Sequence, residues 1–327
     1  MRIRPAVFVL LCLVATELPS LAAQASPTEA MPAADGEPAE RLLQVQDLEA
    51  RTQAAATLET GLAADLADSR RANAADANGT TQRLADLRVL ASEVAALLPA
   101  GSQAARRLAS ATAAAVAHES QDGPMVAATK LRLALADLDS DLRFTPVREA
   151  ELPKGFPTYA ALDEIELRDY PTYRMVRAPM RRNGSMSSFW MLFNHIKKND
   201  IAMTTPVQID YDHNGEAAAE QSMAFLYGDP AIGEAGKNGK VEVVDVPAVT
   251  VLSVGARGYE RPDRLATLNE RLLRWLAANA TEFEAAGTMR MMNYNSPSVG
   301  DDRRYFEVQV PVRKVEAKPK AKAREAI

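Results

Sequence analysis

A short word occurs twice in the second half of this chain. Glu166-Leu167-Arg168-Asp169-Tyr170-Pro171 returns as Glu242-Val243-Val244-Asp245-Val246-Pro247. An internal repeat constrains topology more than any propensity does, because two copies of one unit must bury their apolar faces on each other. Each copy runs on into a strand pattern, Thr172 to Ala178 and Ala248 to Val254, with the alternation of a half-buried strand. An arginine-bearing loop follows in both, Arg181-Arg182 and Arg257, and then an amphipathic helix. Phe189, Leu192, Phe193 and Ile196 share a face in the first copy, and Leu265, Leu268, Leu272, Leu273 and Leu276 in the second. A Met-rich strand (Ile201 to Tyr211, Thr288 to Tyr294) and a last strand (Ser222 to Tyr227, Tyr305 to Val310) complete each unit. The order strand, helix, strand, strand, used twice, predicts an α+β domain. Its two units would join their antiparallel sheets into a distorted, barrel-like surface with two helices alongside and a cleft at their margin.

The first half is written differently. From Glu40 to Leu142 the chain is rich in Ala, Leu, Asp, Glu, Arg and Gln and almost free of aromatic residues, the vocabulary of helices. Apolar residues recur at helical spacing, as in Leu58, Leu62 and Leu66, in Leu84, Leu87, Val94, Leu97 and Leu98, and in Leu131, Leu135, Leu138 and Leu142. Breaks at Asn78-Gly79, Pro99-Ala100-Gly101 and Asp122-Gly123-Pro124 divide this into about four helices of an all-α bundle. The domain is expected over 40–145, as a scaffold or a partner-binding element; its small residues bury little area per turn, which leaves self-association open. Phe144-Thr145-Pro146 and Leu152-Pro153-Lys154-Gly155-Phe156-Pro157 read as a linker, because proline removes a donor and disfavours helix before it.

Both ends fall outside these domains. Arg2 and Arg4, the apolar run Pro5 to Ala15 and Ala23-Gln24-Ala25 read as a cleaved export signal over 1–25. That run is shorter than the ~20 residues a bilayer span takes; an uncleaved segment would instead anchor the protein to a membrane. The expected location is therefore periplasmic or secreted, with no transmembrane segment after cleavage. Residues 26–39 read as a disordered linker, and 313–327, with Lys314, Lys318, Lys320, Lys322 and Arg324, as a disordered basic tail. The one cysteine, Cys12, lies in the signal, so a mature chain has neither disulfide nor thiolate chemistry. A net charge of -5 argues against a nucleic-acid partner.

Three words in the second half resemble the SOUL haem-binding family. Ile165-Glu166-Leu167-Arg168-Asp169-Tyr170-Pro171 is similar to its opening strand, Ile201-Ala202-Met203-Thr204-Thr205-Pro206-Val207 to its most characteristic motif, and Tyr294-Asn295-Ser296-Pro297 to a late segment. They occur in family order and span nearly all of 156–312. The resemblance implies a distorted β-barrel of two pseudo-symmetric halves, binding of haem or a related tetrapyrrole, and no catalytic activity in most members. It also implies a pocket face on Met186, Phe189 and Phe193. Some members carry a histidine, proposed as an iron ligand, where this chain has Asp169; a carboxylate replaces imidazole poorly at haem iron.

Among candidate site residues, His195 on the first helix reads as a structural histidine or as an axial haem ligand, the one candidate metal ligand. Nine of the twelve methionines lie in the second half; most suit core packing, while Met186 and Met191 stand beside the candidate cleft. Arg181, Arg182 and Arg257 offer planar forks for haem propionates, or are solvated loop residues. No CxxC, HExxH, P-loop, G-x-S-x-G or dinucleotide fingerprint is present, so an enzyme is not expected. The reading is an exported haem or tetrapyrrole binder using an apolar cleft, as carrier, buffer or sensor. Its rivals are an envelope scaffold that no longer binds haem, and an enzyme acting on a tetrapyrrole or small apolar electrophile.

Overall fold

The computed structural model describes residues 40–71, 77–180, 185–214 and 218–315. The expected signal, the 26–39 linker, Arg181, Arg182 and all but the first residues of the tail lie outside them.

The first half forms four helices, α1 (Asp47–Arg71), α2 (Ala77–Leu97), α3 (Gln103–Asp122) and α4 (Pro124–Leu142). Ser102 caps α3 by accepting from the Ala105 amide at 3.2 Å. Gly123, at φ 86°, ends that helix, and Pro124 opens the next. Asn78-Gly79, expected as a break, falls inside the first turn of α2; residues 72–76 lie outside the described residues. Leu58, Leu84, Leu87, Val94, Leu131 and Leu135 form the buried seam. Gly61 lets α1 and α2 close up, since a Cβ there would stand 2.5 Å from Leu90 Cδ1. Asp65 of α1 binds Arg83 of α2 at 2.6 Å and Arg132 of α4 at 3.0 Å.

The second half contains β1 (Ile165–Tyr170), β2 (Tyr173–Pro179), α5 (Ser185–Lys198), β3 (Val207–Tyr211), β4 (Glu220–Leu226) and β5 (Gly236–Asn238). It continues through β6 (Val241–Val246), β7 (Val249–Arg257), α6 (Pro262–Ala278), β8 (Phe283–Ala285), β9 (Arg290–Asn293) and β10 (Tyr305–Lys314). The expected unit gains a strand, because Pro171 and Pro247 each divide the leading run in two. The sheet order is β1-β7-β10-β9-β3-β4-β2-β6-β5, with β8 on β10. The two copies meet at β9 and β3, and each lends its first strand to the other. One register runs through both prolines, from Ile165 opposite Val254 to Tyr170 opposite Val249, then from Tyr173 opposite Val246 to Arg177 opposite Glu242.

That path begins at β1 and ends at β5 without closing. The expected barrel is thus corrected to an open, ten-stranded antiparallel sheet: the strands that would seal it, β1 and β6, are spent on the opposite copy. The Met-rich strand expected from Ile201 starts only at Val207. Before it the Thr205-Pro206 peptide is cis, and Thr204 Oγ donates to the Leu226 carbonyl at 2.6 Å. β10 runs on to Lys314, whose partner is Phe283, so the tail expected from 313 begins as strand.

One sheet face carries Ile165, Val176, Phe225, Val254, Phe306 and Val308 against α5 and α6. The other face is a floor of Tyr170, Tyr173, Tyr294, Tyr305 and Glu307, and the segment read as a linker covers it. Phe156 meets the edges of Tyr170 and Tyr173 at 4.9 and 5.2 Å, and Tyr159 those of Tyr294 and Tyr305 at 5.1 and 5.5 Å. Gly255 is required where this strap crosses β7, because a Cβ would come within 2.9 Å of the Ala160 carbonyl. The bundle docks at the same margin. Glu164, fully buried, accepts from Arg51 at 2.6 Å and from the Gln103 and Ala104 amides at 2.9 and 3.0 Å. A carboxylate at the start of α3 complements the helix dipole, although burial still pushes its pKa up.

Candidate functional site

Helix α5 follows the loop after β2. Ser188 Oγ holds it by donating to the Pro179 carbonyl at 2.9 Å, and Leu192 and Ile196 bury its inner face. The flank beside that face is aromatic, with Phe189 and Phe193 partly buried against the core. The Phe189 and Phe193 rings stack with their centroids 6.1 Å apart and their planes 11° from parallel. Trp190 stands edge-on to both, at 5.7 and 5.5 Å, and is 43% exposed. Met186 is half-buried one turn earlier. The sequence candidates Met186, Phe189 and Phe193 therefore share one flank of one helix, with Phe225 of β4 behind Phe189 at 5.2 Å. A broad, half-exposed apolar strip fits a flat macrocycle held by contact.

His195 is less free than its position suggests. Its Nε2 lies 2.9 Å from the Tyr227 hydroxyl, and burial, with Lys198 nearby, lowers its pKa. The ring is neutral and anchored, and iron ligation through Nε2 would first break that bond. Asp169 is exposed on β1, where it accepts from Thr250 Oγ at 2.6 Å. Arg257 is engaged by the bundle, through Ser140 Oγ at 2.7 Å and Asp141 at 3.0 Å.

The buried floor was missed by sequence reasoning. Glu307, with no exposed surface, accepts from the Ala160 amide at 3.0 Å, Ser253 Oγ at 3.0 Å, Gln309 Nε2 at 2.7 Å, and Tyr294 and Tyr305 at 3.2 and 2.9 Å. Arg168 stands 3.9 Å away. Burial and this carboxylate push the Tyr170 hydroxyl up to about 12 and keep those of Tyr294 and Tyr305 protonated. With its donors in place, Glu307 fixes the floor and the strap. Only its position on the polar side of β10 was visible beforehand; its partners come from four separate segments.

The three sequence words also turn out to grip the strap. Tyr170 meets Phe156 in an edge-to-face contact, the Thr205 amide donates to the Glu151 carbonyl at 3.0 Å, and Ser296 binds Glu149 through its amide at 2.6 Å and its hydroxyl at 2.8 Å. Residues 155–311 match the family model described as SOUL heme-binding protein. This part of the chain belongs to the SOUL family. The bundle lies outside the SOUL match. No curated protein gives a significant match to the chain. Among solved structures, the EcmrR C-terminal domain is similar at 19% identity and a TM-score of 0.34, covering 46% of this chain and 98% of its own. A hydrolase from Listeria innocua is similar at 10% identity and 0.36, covering 47% and 94%. SAV2435 bound to tetraphenylphosphonium is similar at 12% and 0.28, covering 46% and 94%. None of these three bears on what the SOUL domain here binds.

Proposed function

We propose that this protein is an exported haem or tetrapyrrole binder that takes the macrocycle on the outer flank of α5, acting as a carrier, buffer or sensor. The observation that carries the reading is the parallel, stacked Phe189–Phe193 pair with half-exposed Trp190 beside it. Membership of a heme-binding family makes a tetrapyrrole the ligand class to match to that strip. Arg181 and Arg182, directly before α5 in sequence, are the proposed propionate partners. Binding is by apolar contact; His195 stays on Tyr227. The location rests on the N-terminal export signal. The SOUL family is one of binding proteins rather than catalysts, and no reaction is proposed.

Haemin titration of the purified chain tests this. A saturable Soret shift at micromolar haem, weakened in Phe193→Asp and unchanged in position in His195→Ala, is expected. The absence of any shift would leave the envelope scaffold as the reading. A Soret band that moves in His195→Ala would replace contact binding with ligation.

A further inference from the structure

A cavity of about 680 Å³ opens between the bundle and the second copy's helix. Five arginines line it: Arg107 of α3, Arg257 at the end of β7, and Arg261, Arg264 and Arg271 at the start and along α6. Three aspartates, Asp141, Asp163 and Asp263, share the lining. Five against three leaves the wall at +2, in a chain whose net charge is -5. The apolar part of the wall comes from Leu162, Ala256 and Leu268.

The charges fall into two groups. Arg107 binds Asp141 at 2.7 Å, Arg257 binds the same carboxylate at 3.0 Å, and Arg271 binds Glu40 at 2.6 Å and also Asp163. These pairs bridge the two domains and hold the cavity's shape. Among the described residues, no carboxylate lies within ion-pair distance of Arg261 or Arg264. Arg264 is half-buried, donates to the Arg257 carbonyl and lies 5.6 Å over the Phe306 ring. Burial, with Arg261 beside it, lowers its pKa despite the opposing pull of Asp163, Asp301 and Asp141, none of them close enough to pair with it. Both residues sit where α6 begins, and Arg261, its cap, makes no side-chain capping bond, so the amide ends and the helix dipole point the same way as the two cations.

We infer that this interdomain cavity is a binding site for a small organic anion, a phosphate or carboxylate ester-sized molecule, gripped by Arg261 and Arg264 and seated on Leu162 and Leu268. The volume suits a ligand of ordinary small-molecule size, about 300–1,000 Å³. Two guanidinium forks match either oxyanion bidentately. Because Arg107 and Asp141 come from the bundle and the cations from the SOUL domain, an occupant would touch both domains. The site lies on the second copy's helix, so it stands apart from the tetrapyrrole reading on α5.

Isothermal titration of the full chain with phenyl phosphate and with benzoate tests the inference and separates the two oxyanions. Saturable binding of at least one is expected. Arg261→Gln, at an exposed position that leaves the fold alone, should weaken it about 10- to 100-fold, the range for hydrogen bonds to a charged group. Asp263→Asn should tighten it, since that carboxylate has no ion-pair partner and repels the ligand. Trp190→Ala, confined to α5, should leave it unchanged. No heat from either probe at millimolar concentration, or binding indifferent to both Arg261→Gln and Asp263→Asn, overturns the site.

Discussion

Helices α5 and α6 occupy the same place in the two copies, and a single offset aligns them: Pro171 answers to Pro247, Arg181 to Arg257 and Leu192 to Leu268. Their inner faces agree. Leu192 and Ile196 are buried on the sheet as Leu268 and Leu272 are. Their flanks and outer faces do not. Half-buried Phe189 and Phe193 answer to buried Leu265 and Asn269, Trp190 to Ala266 and His195 to Arg271. Packing against a shared sheet holds one side of a duplicated helix constant, because core volume changes are costly, and leaves the other side to diverge. Here it became an aromatic strip on one copy and a cationic wall, closed by the bundle, on the other.

The comparison breaks first if the inner faces are not equivalent. Leu272→Ala and Leu192→Ala, both at fully buried sites, should each cost about 2–5 kcal/mol in urea denaturation. A loss below about 1 kcal/mol in only one of them would show that the two helices do not share a structural role. The outer faces come next. Phe193→Asp should weaken haemin binding about 10- to 100-fold, from a lost aromatic contact of 1.5–3 kcal/mol. Arg261→Gln on α6 should leave that affinity unchanged, and equal losses would erase the division of roles. Trp190→Ala, at a half-exposed position, should change stability by no more than about 0.5 kcal/mol while lowering haemin affinity in the same titration.

The smallest effect is a pH dependence peculiar to α5. His195 has a folded pKa below its ordinary value of 6.5, so the unfolded chain takes up its proton first as pH falls. Its contribution is therefore present above 6.5 and is lost between 6.5 and the lower folded value. Thermal melts between pH 8 and 5 should show this loss in the native chain and not in His195→Gln. Arg271, the counterpart on α6, stays charged throughout that range, and buried carboxylates such as Glu164, whose pKa is raised, act alike in both chains, so the difference between the two melts reports α5.

Much of this was written in local patterns. The repeated word, the helix faces and the aromatic flank of α5 depend on residues a few positions apart, and periodicity exposes those. What escaped depends on segments far apart. Pro171 and Pro247 were seen, yet not that each splits a strand and sends its first half to the other copy. Phe144, Leu152, Phe156 and Tyr159 sit among prolines that suggested a loose linker, whereas the tyrosines that bury them lie on β1, β2, β9 and β10. Glu307 carries no local mark, because its donors come from the strap, β7, β10 and Tyr294. The cavity needs α3, α4, β7 and α6 together; of its cations only Arg257 had drawn notice, and that one is engaged by Asp141.

The strap bears on how such a chain could have been assembled. Composition changes near residue 144, and a recombination event guided by it would cut there or just beyond. The piece to its right would keep Phe156, Tyr159 and Ala160 over the tyrosine floor but would lose Phe144, whose ring stacks on Tyr305 at 6.2 Å. It would also lack residues 40–43, whose Leu43 amide donates to the Ile165 carbonyl at 2.8 Å on the outermost strand, leaving a raw sheet edge. A cut at 144 would therefore strip β1 of the segment that covers its outer edge.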